Sequence, residues 1–240
     1  DDNTSGIIDA DSLTTLTGSA TDLIEAVNSI GISNLGDVDI TVDSGTTTTD
    51  QANALAGKTS GIVTATIAEG DLDTLDALTE NGNAYAITIT DASVDAVALN
   101  TLDAKTTVAI DAAAVTTLTG SATDLIEAVN SIGISNLGDV DITVDSGTTT
   151  TDQANALAGK TSGIVTATIA EGDLDTLDAL TENGNAYAIT ITDASVDAVA
   201  LNTLDAKTTV AIDAAAVTTL TGAAVDLNSA FDSAGISNLG

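Results

Sequence analysis

Cysteine, proline, methionine, tryptophan, histidine and arginine are all missing from this 240-residue chain. Each absence excludes something. Without His, Cys or Arg there is no Ser-His-Asp triad, no thiol nucleophile and no guanidinium clamp for a phosphate. Without Cys there is no disulfide framework, which a secreted and a cytosolic protein can share. The only aromatic residues are Tyr85, Tyr187 and Phe231, too few for the platforms on which sugars stack. Positive charge is equally scarce, since four Lys face 36 acids for a net charge of −32. Four Lys cannot neutralise a phosphate backbone, so nucleic acid is excluded as a partner. An anionic membrane would repel the same surface. No apolar run approaches the roughly 20 residues of a membrane span, so no direct membrane insertion is expected. Carboxylate pairs suited to glycoside hydrolysis occur throughout, as in EGDLD at Glu69–Asp73, and that abundance makes them uninformative. No catalytic residue and no organic cofactor is singled out, and the chain is not expected to be an enzyme.

What the chain does have is 43% apolar residues in regular patterns, enough for a long, thin core despite the charge. It also repeats itself. Thr14–Gly120 recurs without a mismatch as Thr116–Gly222, a period of 102 residues. A third copy begins and drifts, SATDLIEAVNSIGISNLG at Ser121–Gly138 becoming AAVDLNSAFDSAGISNLG at Ala223–Gly240. The N-terminal edge drifts too, TSGIIDADSL at Thr4–Leu13 standing where TTVAIDAAAV stands at Thr106–Val115. Residues 1–13 thus read as the end of a preceding repeat, 14–115 and 116–217 as two full repeats, and 218–240 as the start of a diverged third. The chain opens and closes in mid-repeat, and is expected to be a window on a longer protein.

Inside one repeat, four segments alternate apolar and small polar residues: Val38–Val42, Val63–Ile67, Tyr85–Ile89 and Val108–Ile110. These predict strands. Their ends fall at Val42, Ile67, Ile89 and Ile110, and the pattern resumes with the strand ending at Val144. The 102-residue unit therefore reads as four coils, the last of them the longest. Four positions past each strand stand Thr46, Asp71, Ser93 and Ala114 (Ser12 in the first copy), three of them residue types that cap helix N-termini. Pairs such as Leu72 with Leu75, Val94 with Val97, and Val115 with Leu118 supply apolar faces, and Gly57, Gly82 and Gly120 supply stops. The longest coil carries an extra helix, Thr123–Gly133, with Leu125, Val129 and Ile132 as its expected buried stripe. The expected fold is an α/β right-handed solenoid with one short parallel β-strand and one short helix per 21–34-residue coil. Nine stacked strands at about 4.8 Å would make a rod of roughly 40 Å. The alternative is a pair of immunoglobulin-like β-sandwiches, disfavoured by the capped helices and by four strands per repeat where a sandwich needs about seven.

The phrases TTLTGSATDL, ISNLGDVDITVDSG, LNTLDAKTT and LTGAAVDLNSAFDSAGISNLG resemble the tandem repeats of very large bacterial cell-surface and adhesin proteins, those of marine cyanobacteria in particular. Those repeats recur as variants of LTG-x-A-x-DLN, GI-x-NLG and LNTLD, and the resemblance covers nearly the whole chain. It implies an extracellular or cell-surface protein with a structural, filament or adhesion role, and brings no catalytic site. The leucine-rich repeat family is similar only in architecture, because its L-x-L-x-x-N signature and fixed Asn column are missing.

Outward strand positions read Asp39, Thr41, Asp43, then Thr64, Thr66, then Thr88, Thr90, then Thr107, Asp111. Flat Thr ladders can bind ice, whereas Thr is also simply the best polar strand residue, and Asp interrupts the ladder. Acids follow each strand closely, at Asp43, Glu69, Asp91 and Asp111. Stacked, they would form a column of like charge that needs compensation. Helix N-termini a few residues on supply one account. Calcium supplies the other, with Asp37, Asp39, Asp43, Asp91 and Asp111 as candidate ligands in a site unlike an EF-hand. Tyr85, on the inward side, is expected to fill core. The expected partner is the protein itself, end to end or laterally, with a glycan or mineral surface as the alternative.

Overall fold

The computed structural model describes residues 6–239. Residues 1–5, part of the expected preceding repeat 1–13, and Gly240 lie outside the described residues. The chain divides into two compact units. The first takes in the described residues to Val94, with Ala98–Val115 and Ser131–Asn136; the second takes in Asp95–Val97, Thr116–Asn130 and the residues from Leu137 on.

In chain order the first copy forms β1 (Ile8–Asp9), β2 (Thr15–Ser19), α1 (Ala20–Asn28), β3 (Ile32–Ser33), β4 (Asp39–Ser44) and α2 (Thr49–Ala56). There follow β5 (Val63–Thr66), α3 (Leu72–Leu75), β6 (Ala84–Ala86), β7 (Ser93–Asp95), α4 (Ala96–Asp103) and β8 (Ile110–Asp111). The elements of the second copy stand 102 residues later. Parallel strands alternate with short helices, a solenoid-like α/β repeat. Every recorded strand pair is parallel, which a β-sandwich of antiparallel strands would not give.

In the first unit β2, β4, β5 and β6 form one sheet in that order. The registers Thr15↔Asp39, Ile40↔Val63 and Thr64↔Ala84 set the length of each coil, and the last of the three is the shortest step. The bridge from Asn83 to Thr106 adds one more. The expected 34-residue coil is corrected by the pairing that follows. Ile110 pairs with Ile134 rather than with Val144, and in the second unit Thr117 pairs with Asp141. Both steps match the one from Thr15 to Asp39. The segment Thr117–Ser121, expected as a helix ending at Gly120, is a strand. Its Thr-Leu-Thr alternation suits a pleat, and Gly120 at φ +147° has its open side against Ala96, whose Cβ would lie 3.3 Å from a Cβ there.

The larger correction concerns closure. Column by column, Leu16 leads through Ile40, Val63 and Asn83 to Thr106, an advance of 90 residues in four steps rather than 102. In the second unit Leu118 leads likewise to Thr208, while its sequence equivalent Leu220 pairs with Val196. The repeat and the coil are incommensurate. One strand per coil is also too few, because Ala186–Ala188 and Ser195–Asp197 follow one another within a single turn.

Of the expected helix starts, one holds. Asp71 caps α3 by accepting from Thr74 N at 3.0 Å. The cap of α2 is Thr48 rather than Thr46, in a capping box with Gln51. Ser93 lies in a strand, and in the second copy Asp197 caps the following helix instead. The inward set holds at Ile40, Val63, Leu75, Tyr85, Ile89 and Ile110, all buried. It fails at Val97 and Val108, which are half exposed or nearly so. It fails most at Ile132, which is 99% exposed, as is Ile30 at 98% in the first copy. The helix Ala122–Asn130 buries Ala122, Leu125 and Ala128 instead of a Leu125–Val129–Ile132 stripe. Its end at Asn130 leaves Ile132 on a turn, beyond the helical geometry that the stripe assumed.

Helix α3 has four residues and cannot stand alone. Leu75→Asp should cost about 3 kcal/mol or more by placing a charge in the core. Thr64→Asp, on the exposed face of β5, should cost under about 1 kcal/mol. Hydrogen exchange of the α3 amides measures both, and equal loss of protection would refute the inward and outward assignment.

Candidate functional site

The polar chemistry of the chain is concentrated where one coil meets the next. A helix leaves its first four N–H groups without partners inside the helix. For α2 the N-cap Thr48 meets Gln51 N at 3.2 Å, and Glu69 from the following coil accepts from Thr49 N at 3.1 Å. For α3 Asp71 takes Thr74 N, and Asp91 from the following coil accepts from Leu72 N at 2.7 Å. The second unit repeats both bonds, Glu171 with Thr151 N at 3.1 Å and Asp193 with Leu174 N at 2.8 Å. Negative charge at a helix N-terminus is favourable in its own right.

Strands are clamped in the same manner. Asp39 Oδ1 accepts from Ile62 N at 2.8 Å, and Asn83 Oδ1 accepts from Val63 N at 2.8 Å. Thr106 Oγ1 donates to the Tyr85 carbonyl at 2.7 Å and accepts from Tyr85 N at 3.0 Å. Asn53 bridges outward from α2, its Nδ2 donating to the Ala77 carbonyl at 2.7 Å and its Oδ1 accepting from Thr79 N at 3.0 Å. Asp111 Oδ1 accepts from Ala113 N at 3.1 Å and from Asn136 Nδ2 at 2.7 Å. Asn136 sits at φ +66°, a conformation Asn tolerates better than most residues. The same pair recurs as Asp9 with Asn34 and Asp213 with Asn238.

The five candidate calcium ligands are thus dispersed along the coils. Asp39, Asp91 and Asp111 accept from N–H groups, and Asp37 and Asp43 are exposed. Asp43 is the residue skipped where the β2–β4 register passes from Gly18↔Val42 to Ser19↔Ser44, a bulge that turns it to solvent. Among the described residues no group of three or more His, Cys, Asp or Glu is gathered as a metal ion would need.

Asn83 and Thr106 are buried polar residues on the inward side, where an apolar residue would be expected. Sequence periodicity had no means of finding them, because they continue the column of Leu16, Ile40 and Val63, which is apolar up to that point. Tyr85 is fully buried, and burial, then the nearby Glu80, pushes its hydroxyl pKa up to about 12. Its hydroxyl has no hydrogen-bond partner, and in the second copy the Tyr187 hydroxyl reaches the Ala154 carbonyl at 3.5 Å. An open groove of about 580 Å³ along α1, lined by Thr21, Ile24, Glu25, Asn28, Ser29 and Ile30, offers a single carboxylate. No protein-family model, no curated protein and no solved structure matches the chain.

Two of the Asp–Asn pairs, Asp9 with Asn34 and Asp213 with Asn238, make an acid-sensitive element. The Asn34 amide, then the Asp11 N–H, holds the Asp9 carboxyl below its ordinary value of 3.8, and Asn238 with Ala215 N does the same for Asp213. A carboxylate with a lowered folded pKa contributes stability above its unfolded pKa and loses it as pH falls through the folded value. Asn34→Ala and Asn238→Ala should therefore raise the titration midpoints of Asp9 and Asp213 toward the ordinary range in carboxyl-detected NMR. Midpoints that stay in place would show that the amides do not hold these carboxylates.

Proposed function

We propose that this chain is a structural repeat module of a secreted cell-surface, filament or sheath protein, acting as a rod or a self-assembling wall and not as a catalyst. One observation carries the reading: the side chains that chemistry would need are committed to bonds between neighbouring coils. Glu69, Asp91, Asp39, Asn83 and Asn53 each bond to the backbone of another coil, and each has an equivalent in the second copy. A site repeated identically suits extension better than catalysis. The coils are read as right-handed, in line with the rule for parallel strands joined by a crossover. An extracellular or cell-surface location accords with the resemblance to bacterial surface repeats and with the acidic composition.

The partner on this reading is the protein itself, end to end or laterally. Sedimentation velocity and electron microscopy of the chain test it, in millimolar calcium and in sodium at matched ionic strength. Concentration-dependent assembly into filaments or sheets is expected. A monomer at every concentration in both salts would remove the structural reading. Assembly or stabilisation by calcium well beyond sodium would favour a calcium-dependent adhesin that engages glycan or mineral through its acidic face. Full binding at a hundredfold excess over Kd stabilises by about 2.7 kcal/mol, readily visible in a melt.

A second reading, ice binding through Thr ladders, has the strand register in its favour. Thr17, Thr41 and Thr64 pair in line, and Thr119, Thr143 and Thr166 do so in the second unit. Asp39 lies opposite Thr15 and leaves this column free of acid. Ice-crystal shaping that is lost in Thr41→Lys would support this reading. Unshaped growth at millimolar protein would end it.

A further inference from the structure

The loop Leu78–Asn83 contains the dipeptide Asn81-Gly82, repeated as Asn183-Gly184. At no other position in the chain does Gly follow Asn. Both residues are exposed in both copies. Gly82 lies at φ +79° and Gly184 at φ +82°, and a Cβ built at either meets nothing within 4 Å. No hydrogen bond engages either residue of the pair in either copy. Four amides of the same loops and helices differ. Asn34 and Asn136 donate to carboxylates, Asn53 bridges to Ala77 and Thr79, and Asn83 is buried with Val63 N on its Oδ1.

We propose that Asn81 and Asn183 are sites of spontaneous deamidation to aspartate and isoaspartate. The backbone nitrogen of Gly82 bonds to Asn81 Cγ, the Cγ–Nδ2 bond breaks, and ammonia leaves with the proton given up by the Gly82 nitrogen. The product is a five-membered succinimide. Water then adds to one of its two carbonyls and opens the ring. Opening at the backbone nitrogen's new bond gives aspartate, and opening at the original peptide carbonyl gives isoaspartate. Net, one amide and one water become one acid and one ammonia, with no oxidant or reductant. Gly supplies what the step needs, since the absence of a side chain leaves its nitrogen accessible and its backbone free to turn. An unengaged N–H means no bond must first be broken.

The consequence is local and structural. The loop is fixed at both ends, Thr79 by Asn53 and by the Lys105 ammonium on its carbonyl at 3.1 Å, Asn83 by Val63 N and Thr107 N. Isoaspartate lengthens the main chain between those anchors, and either product adds a negative charge beside Glu80. The Asn83 clamp on β5 is the bond that the added length displaces first.

Incubation of the intact chain at mildly alkaline pH tests the proposal. Peptide mapping by mass spectrometry, with enzymatic methylation to detect isoaspartate, reads the product at each Asn. The expected result is one amide-to-acid mass shift at Asn81 and one at Asn183, ahead of every other Asn, with the shift at the first site lost in Asn81→Gln. A synthetic peptide spanning Thr79–Tyr85 gives the unfolded reference. Conversion in the peptide with none in the folded chain would overturn the proposal, as would equal conversion at Asn53 or Asn34.

Discussion

A backbone N–H that faces a neighbouring coil must find an acceptor, and the rest of this structure follows from how that need is met. Helix α3 is the sharpest case. With four residues it has hardly any internal hydrogen bonding to offer its own amides. Asp71 takes the Thr74 N–H from within the coil and Asp91 takes the Leu72 N–H from the next one. Hydrogen bonds to a charged acceptor contribute roughly 1.5–3 kcal/mol, about twice the neutral value. A helix too short to persist is thus held by carboxylates on either side of its first turn. At the strands an amide, a hydroxyl or a carboxylate plays the same part, Asn83 toward Val63 N, Thr106 toward Tyr85 N and Asp39 toward Ile62 N.

These clamps also set the size of the coil. The steps between paired strands differ little, from Thr15↔Asp39 as the longest to Thr64↔Ala84 as the shortest, where only α3 intervenes. The core inside is built of Ala, Val, Ile and Leu, with one Tyr per repeat as its largest side chain. Such a core leaves little room for variation in diameter, so extra residues go into the turns. The sequence period and the coil then need not agree. Leu118 and Leu220 occupy equivalent places in the sequence yet pair in different columns, because four steps fall short of the full sequence period.

Periodicity made the stronger half of this fold legible. Val63–Thr66 alternates buried and exposed residues along its length, and Leu72 and Leu75 both sit inside as their spacing implied. What escaped was short or weakly apolar. TLTGS carries one large apolar residue in five, so the Gly read as a helix stop rather than as part of a strand. Ile132 is apolar and in phase with its helix, but the helix ends before it. Asn83 and Thr106 were illegible for the opposite reason: polar residues in the core are chosen by the backbone group they satisfy, and that group lies a coil away in space. The acids near the strand ends stand out as a set. Their partners could not be read, since the offset from Asp91 to Leu72 is a property of the fold.

The acids consequently divide into two populations with different work. Glu69, Asp91, Asp39 and Asp111 are acceptors for the backbone, and their charge is met locally by N–H groups and by helix N-termini. Asp37, Asp43 and Asp76 are exposed, away from any helix N-terminus, and keep their repulsion. At physiological ionic strength screening reaches about 8 Å, farther than the roughly 4.8 Å between paired strands, so exposed acids on adjoining coils still feel one another. The first population meets backbone N–H groups of other coils and turns directly. The second opposes the stack and makes its cohesion depend on the cations around it. A chain with four Lys and 36 acids has left that compensation to its surroundings. Added salt, by screening the exposed acids, therefore strengthens the stacking of one coil on the next.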